Sequence, residues 1–498
     1  MPTLLTGTNL LAIFLIFMGL VQFSTPDMPD NDGFYHIKLA YLMRTESIKP
    51  DFPWLPLTVL NPREFYHHHF LFHVSLIPFT FGDLRLGAKW AAVIFSSLAF
   101  LSIWWLFDRQ RIPFAPLWAL GLLGVSEAFI YRMSITRAQS LSLAFLALGL
   151  HWLLTKKHTR LLFLGFIYVW FYNAFPLLIG VTGIYVLAGW FVERRLDLRP
   201  LLYSSVGTGL GLLINPYFPY NITFAVHHML PKLLETTAVS VGSEWYPYDT
   251  GQLLDNSLLA LAAFLGGALA LGLAGRRVDT RTLTSFLLAC LFGLMLFQSR
   301  RFIEYFPAFA LVFAAFAWSP VVESALARSK TTGRKDRNSL ESWKPRILTA
   351  LAVAIFFIAG IWPTFQASRD SLGGSKPYQL YSGASAWLEA NTPAGERVFQ
   401  TDWDDFPRLF FYNTHNTYLV GLDPTYMQLY DADLYDRWVD ITQGRVENPS
   451  SAIVVEFGSR FVLTDLQHEA FIQEAEADPG LEEVYRDEDA IVYRVLDP

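Results

Sequence analysis

The sequence has a single cysteine, Cys290, inside an apolar run, so no intrachain disulfide can form and the redox compartment is not readable from it. Charge is scarce as well: Asp, Glu, Lys and Arg make up 16% of the 498 residues, against 53% hydrophobic residues. That balance excludes an ordinary soluble chain and fits a multi-span membrane protein. Acids are almost missing from the apolar runs themselves. A transporter would keep ionisable residues near mid-membrane, so their scarcity there favours chemistry at one surface. Internal repeats and low-complexity stretches are also absent. The first apolar segment has no basic leader and no small-residue cleavage site after it, and reads as a retained span.

What charge there is falls unevenly. From Asp370 onward there are 24 Asp/Glu against 8 Lys/Arg, although the whole chain is only −6. The split predicts two bodies, and an acidic tail argues against nucleic acid as a partner.

Apolar runs long enough to cross a bilayer lie at 3–23, 87–107, 114–131, 138–155, 161–175, 176–192, 200–215, 257–274, 282–298, 302–324 and 346–366. Two of these form one continuous run, split only at Asn173-Ala174-Phe175-Pro176. With eleven spans and a cytoplasmic N-terminus, the basic clusters at 109–111, 156–160, 194–199, 276–281 and 328–346 all fall inside. Arg300-Arg301 is the exception. Segments 24–86, 131–137 and 216–256 then face outward together with the tail. In the tail, the pattern predicts helices at 382–390, 426–441 and 466–477, and strands at 397–400, 417–420, 461–463 and 490–495. The expected architecture is an α-helical polytopic membrane protein over 1–366, followed by a soluble, extracytoplasmic α/β domain over 367–498. The expected location is the cell's inner or plasma membrane.

The candidate chemistry begins in the first loop, at Asp30-Asn31-Asp32-Gly33-Phe34-Tyr35-His36-Ile37-Lys38. Asp32 and His36 are four apart and share a helical face if 33–44 is a helix. Phe34, Ile37 and Tyr41 line another face, suited to the membrane interface, which leaves Asp and His toward a polar headgroup. The same loop carries Tyr66-His67-His68-His69 and His73, where the 69/73 spacing suits either a metal or a headgroup contact. Glu127 opens the second outward turn and stands five residues before Arg132, a natural ion-pair partner. Gly242-Ser243-Glu244-Trp245 reads as a mobile loop with one acid. In Gln298-Ser299-Arg300-Arg301-Phe302, two outward arginines need a reason, and phosphate is a good one because guanidinium forks match its oxygens.

Asp32 to Lys38 resembles the Asp-x-x-Tyr-His-x-Arg/Lys segment of the first external loop in oligosaccharyltransferase catalytic subunits. More broadly, it is similar to the acidic motif of C-type (GT-C) polytopic glycosyltransferases. The resemblance implies that Asp32 either binds a catalytic divalent cation, Mg2+ or Mn2+, or acts as base toward an acceptor hydroxyl. Asp30 and Glu127 are the further metal ligands it suggests, and Tyr35, His36 and Lys38 the neighbouring substrate contacts. Glu244 is similar to the acid of the Thr/Ser-x-x-Glu-type motif that helps hold the active centre. Arg301, with Arg300 beside it, resembles the segment that touches the lipid-linked phosphate. Trp403 and Asp404 stand where the family carries Trp-Trp-Asp-x-Gly, which reads a peptide acceptor. Here Asp402 replaces the first Trp and Phe406 the Gly, so a peptide acceptor is not implied.

The implied activity is transfer of a sugar or glycan from a polyprenyl-phosphate or diphosphate donor, reached from the lipid bilayer, to an acceptor glycan, lipid or protein. The residues alone leave two other classes open: a transporter or lipid-handling protein, and a non-catalytic assembly protein of the same fold.

Overall fold

The computed structural model describes residues 6–229, 242–275, 277–332 and 357–496. The chain divides into two compact units. One comprises Met1–Thr25, Lys89–Gly211 and Gly242–Ser375, and the other Pro26–Ala88, Leu212–Val241 and Lys376–Pro498.

The first unit is helical. Five helices of the described chain are long and apolar enough to cross a membrane: Leu84–Arg109, Pro176–Glu193, Thr250–Leu273, Thr280–Gln298 and Phe306–Ala327. A sixth span is available if Glu127–Ser134 and Gln139–Leu154, bent by 109° at their junction, count as one. Gly7–Gln22 and Arg160–Phe171 are apolar but shorter. The continuous run at 161–192 does break in two. Arg160–Phe171 ends before Tyr172, and Pro176 starts the next helix at its first turn, where its missing N–H costs nothing.

Small residues set the helix spacing. A Cβ on Gly207 of Arg199–Leu213 would run into the Leu162 carbonyl of Arg160–Phe171, and one on Gly211 would meet the Phe166 carbonyl oxygen at 2.8 Å. In a membrane, where apolar burial drives little, such close backbone approach is what holds helices together.

One expected span is corrected. The run 114–131 is not a single helix but Ala115–Leu120, a 3-10 turn Gly121–Leu123, and a fresh helix Glu127–Ser134. Ser126 is the reason: its hydroxyl accepts the Phe129 N–H at 3.0 Å, an N-cap that starts a new helix in a new direction. In the run 346–366, residues up to 356 lie outside the described part, and Phe357–Ile361 continues into Trp362–Gly373.

The second unit is built on a five-stranded mixed sheet of order β2-β1-β3-β5-β4. Its strands are β1 (Arg397–Gln400), β2 (Thr417–Tyr418), β3 (Phe461–Asp465), β4 (Leu481–Arg486) and β5 (Ala490–Val495). β1 runs parallel to both β2 and β3, while β5 is antiparallel to β3 and β4. Alternation sorts the side chains onto two faces. Phe399, Val462, Ile491 and Tyr493 pack with Trp438, Ile441 and Phe471 of the tail helices. Val398, Leu463 and Val492 pack on the other face with Tyr35, Leu39 and Leu42 of the first-loop helix Asp32–Thr45. The sheet thus serves as the platform for that helix.

Two tail expectations need amendment. The helix at 426–441 is two, Thr425–Tyr430 and Ala432–Thr442, because Asp431 caps the second by accepting the Leu434 N–H at 3.0 Å. β4 was not expected, since its Glu482-Glu483 pair masks the alternation.

Candidate functional site

Within the second unit, the acidic motif is fixed by its neighbours. Asn31 precedes the helix Asp32–Thr45, and its side-chain amide donates to Asp404 Oδ2 at 2.7 Å and to the Asp404 carbonyl at 3.0 Å. The side-chain oxygen of the same amide, Asn31 Oδ1, accepts Arg408 Nε–H at 2.7 Å. Arg408 is one of the largest fully buried side chains; it also donates to the Pro377 carbonyl at 2.7 Å and lies 4.4 Å over the Phe34 ring. Asp30 Oδ1 accepts the Asp32 N–H at 3.0 Å, so both motif acids are held at the helix start. Three segments of sequence therefore agree on where Asp32 sits: the motif, the 3-10 turn Trp403–Asp405 and the helix Phe406–Tyr412.

The electrostatics are those of crowded acids. Burial, then Asp30, Asp402 and Asp32, push the Asp404 carboxyl up to about 7. Asp405 is also raised, by burial first and then by Asp402. Lys38 is lowered, chiefly by burial against the opposing pull of Glu389 and Glu46. Trp403 packs against the sheet's tail-helix face.

The expectation that this helix lies in the interface with Asp32 and His36 toward solvent is corrected. Phe34, Ile37 and His36 are all buried, Phe34 edge-on against Phe411 at 5.2 Å, because the sheet and the first loop's aromatics enclose the helix. Asp32 and Lys38 are half-buried, and Tyr35 sits inside the core with its hydroxyl raised by burial. His36 Nδ1 shares a hydrogen bond with His73 Nε2 at 2.6 Å, and His73 Nδ1 another with His67 Nε2 at 2.9 Å. Burial lowers His67 to about 3 and holds His69 and His73 well below the usual imidazole range.

In the first unit, the arginines gather around carboxylates. Glu244, on the short turn Ser243–Trp245, receives Arg132 Nη1 at 3.0 Å and Arg137 Nη1 at 3.3 Å on Oε2, and Arg301 Nη1 at 2.9 Å on Oε1. Burial would raise that carboxyl, but Arg301, Arg137 and Arg132 together hold it well below the ordinary range. Arg132 also grips Glu304, through Nε at 3.0 Å and through Nη2. Arg301 Nη2 donates to the Tyr172 hydroxyl at 3.1 Å, and its guanidinium lies 5.0 Å from the Trp245 ring. Arg300 turns elsewhere, donating to the Tyr246 and Pro247 carbonyls at 3.3 and 3.1 Å.

Sequence reasoning did not propose Arg132 and Arg137 as site residues, nor Arg408 and Asn31. The signal for the first pair was present as two arginines on a nominally outward turn, the same anomaly that marked Arg301. Glu127 does not serve as Arg132's partner here. Its Oε1 accepts the Ser371 hydroxyl at 2.6 Å, since residues five apart on a helix point away from each other.

Among the described residues, no three His, Cys, Asp or Glu side chains are arranged to hold a metal ion. Of the histidines, His36 Nδ1, both ring nitrogens of His73 and His67 Nε2 are engaged with one another. Among the described residues the side chains thus form no centre for the expected Mg2+ or Mn2+, and the transfer is derived on the side chains alone.

No protein-family model matches the chain, and no curated protein matches it by sequence. Solved structures do. The chain is similar to the archaeal oligosaccharyltransferase AglB from Archaeoglobus fulgidus in complex with an inhibitory peptide and a dolichol-phosphate, with TM-score 0.65 and 16% identity over 95% of this chain and 71% of that one. A further structure of the Archaeoglobus fulgidus oligosaccharyltransferase is a complex with Zn and sulfate. ArnT from Cupriavidus metallidurans bound to undecaprenyl phosphate matches with TM-score 0.55 and 14% identity, over 99% of both chains. Arabinofuranosyltransferase AftD from Mycobacteria matches with TM-score 0.57 and 14% identity, over 99% of this chain and 40% of that one. These neighbours are glycosyltransferases of the C-type polytopic class, and the chain has a GT-C-like fold.

Proposed function

We propose that this chain is a membrane glycosyltransferase that moves a sugar or glycan from a polyprenyl-phosphate or diphosphate donor to an acceptor on the extracytoplasmic face. The observation that carries this reading is Arg301. Its guanidinium is largely buried, engages a carboxylate and a tyrosine hydroxyl through separate nitrogens, and is flanked by an aromatic ring. A fork held in that way suits the oxygens of a lipid-linked phosphate. Asp32, half-buried and fixed through Asn31, Asp404 and Arg408, is the base in this reading.

The transfer is a single displacement. The Asp32 carboxylate takes the acceptor's proton as the acceptor oxygen bonds the anomeric carbon. The bond from that carbon to the phosphate oxygen breaks, and its electron pair leaves on the phosphate. Configuration at the anomeric carbon inverts. Tyr35, His36 and Lys38 support the first-loop side of this site, and Trp403 and Asp404 shape its acceptor side.

Arg301→Lys keeps the charge but loses the two-pronged contact. Donor affinity of the purified chain should fall about tenfold or more, the size of one charge-assisted hydrogen bond of about 1.5–3 kcal/mol. Near wild-type affinity would instead assign Arg301 to lipid-headgroup snorkelling.

With the broken run 114–131 counted as one crossing, the apolar runs and loop charges support eleven spans, an inner or plasma membrane location, and a C-terminal domain outside. A reporter active only outside the cytoplasm should work when fused after Pro498 and stay silent when fused near Lys335. The opposite pattern would put the candidate residues on the wrong face and end the proposal.

A further inference from the structure

We infer that Arg132, Arg137 and Arg301 form one phosphate cradle, and that the Glu244 carboxylate is the anion that fills it until a phosphate takes its place. This rests on the phosphate reading of Arg301 and extends it to two more arginines and to the acid they share.

Three guanidiniums close on a single carboxylate, two of them on Oε2 and the third on Oε1. Such a convergence of cations away from water is costly unless an anion sits among them. Two acids are in contact with the group, and they differ in kind. The Glu304 side chain is 1% exposed and gripped by Arg132, a permanent support that fixes the guanidinium in place. The Glu244 side chain is 27% exposed, the most open member of the cluster. It is therefore the group that can leave into water. Its backbone carbonyl, anchored by the Ser299 hydroxyl at 3.0 Å, lets the carboxylate swing while the turn stays put.

Phosphate is the ligand class that such an exchange suits. A carboxylate offers two oxygens to three forks, so Arg132 and Arg137 must share one. A phosphate offers an oxygen to each, so every guanidinium keeps an acceptor throughout the exchange. Tyr172 and Trp245 hold Arg301 in position whichever anion is present. The return of Glu244 would in turn help expel the spent lipid phosphate. On this assignment Glu244 is a competitor of the donor, and removing its charge should tighten phosphate binding.

The test is calorimetric titration of farnesyl diphosphate into the full chain in detergent, comparing wild type with Glu244→Gln, Arg137→Gln and Arg301→Lys. Glu244→Gln should bind about tenfold tighter or more, and the two arginine variants should bind more weakly by a similar factor. If Glu244→Gln fails to fold with its arginines unpaired, Glu244→Asp keeps the charge on a shorter arm and should still bind more tightly than wild type. Unchanged or weaker binding on altering Glu244, with Arg301→Lys still weakened, overturns the exchange and leaves the phosphate reading standing. Loss at Arg301 without loss at Arg137 confines the cradle to Arg301. Wild-type affinity in all variants removes the phosphate reading as well. Titration with phosphatidylglycerol nanodiscs separates a membrane headgroup from a polyprenyl one: saturation there, with no response to farnesyl diphosphate, would also overturn the inference.

Discussion

Glycosyl transfer by an Asp32→Asn variant is expected to fall about 10²–10⁴-fold, the usual contribution of a positioned general base. The amide keeps the shape and the place at the helix start, next to Asp30, but cannot accept the acceptor's proton. With Asp32 as the base, the loss should be the same at every metal concentration, and a chelator should leave the wild-type rate unchanged. A wild-type rate that vanishes in chelator and returns with Mn2+ would instead make Asp32 a metal ligand. Partial rescue of the variant by added metal would say the same, since an amide oxygen is a poorer but usable ligand. As a base, Asp32 also predicts that the rate falls on acidification. Asp30→Asn and His36→Ala belong in the series, because either could share the role. Full activity in Asp32→Asn would remove the motif from the mechanism.

The second large effect is on stability, and it comes from the buried imidazoles of the second unit. Burial lowers His67 from 6.5 to about 3 and lowers His69 and His73 as well, while the unfolded chain binds protons near the ordinary value. Where the unfolded state binds more protons, stability rises with pH. The stability these groups contribute is therefore complete above about 6.5 and is lost as pH falls toward 3. Protonation would also break the chain His36–His73–His67, since a doubly protonated ring has no acceptor nitrogen. Asp404 and Asp405 pull the other way. Their raised carboxyls favour the folded unit at acid pH, and that gain disappears as pH rises toward about 7. Amides around 65–75 report local opening that exposes the imidazoles and leaves Asp404 and Asp405 in place, so their protection factors should drop about tenfold or more between about pH 7.5 and about pH 5. Equal protection at both values would show that the imidazoles are not buried as described.

Several features were legible because their causes are local. Pro176 marks a helix start by lacking an N–H, and the break it makes in the run 161–192 can be read from the residue alone. β1 and β5 of the tail declare themselves through short apolar, β-branched runs bounded by turn residues. Arg301 stood out through its position against the charge pattern of the loops. Other features were hidden for equally physical reasons. Ser126 acts as a cap only when the chain turns there, so the run 114–131 looks continuous by hydropathy. Glu482-Glu483 can lie in a strand because β4 is an edge strand whose two acids, on opposite faces, both stay exposed, and an acidic pair does not announce that.

The sequence by itself determined that this is an apolar, largely helical chain with an acidic tail of alternating strands and helices. Hydropathy, helix stops and strand periodicity depend on neighbours a few residues apart, so they are written into any short stretch. Only the tertiary structure decided what the polar residues do. Asn31 meets Asp404 across 373 residues, and Arg132 meets Glu304 across 172. Glu244 reads as a loop acid until three guanidiniums from two distant segments close on it, and His36 reads as solvent-facing until His73 meets it in a buried core. Pairs so far apart in sequence have no periodicity to reveal them. They form because a buried charge or ring nitrogen must find a partner wherever folding brings one within reach.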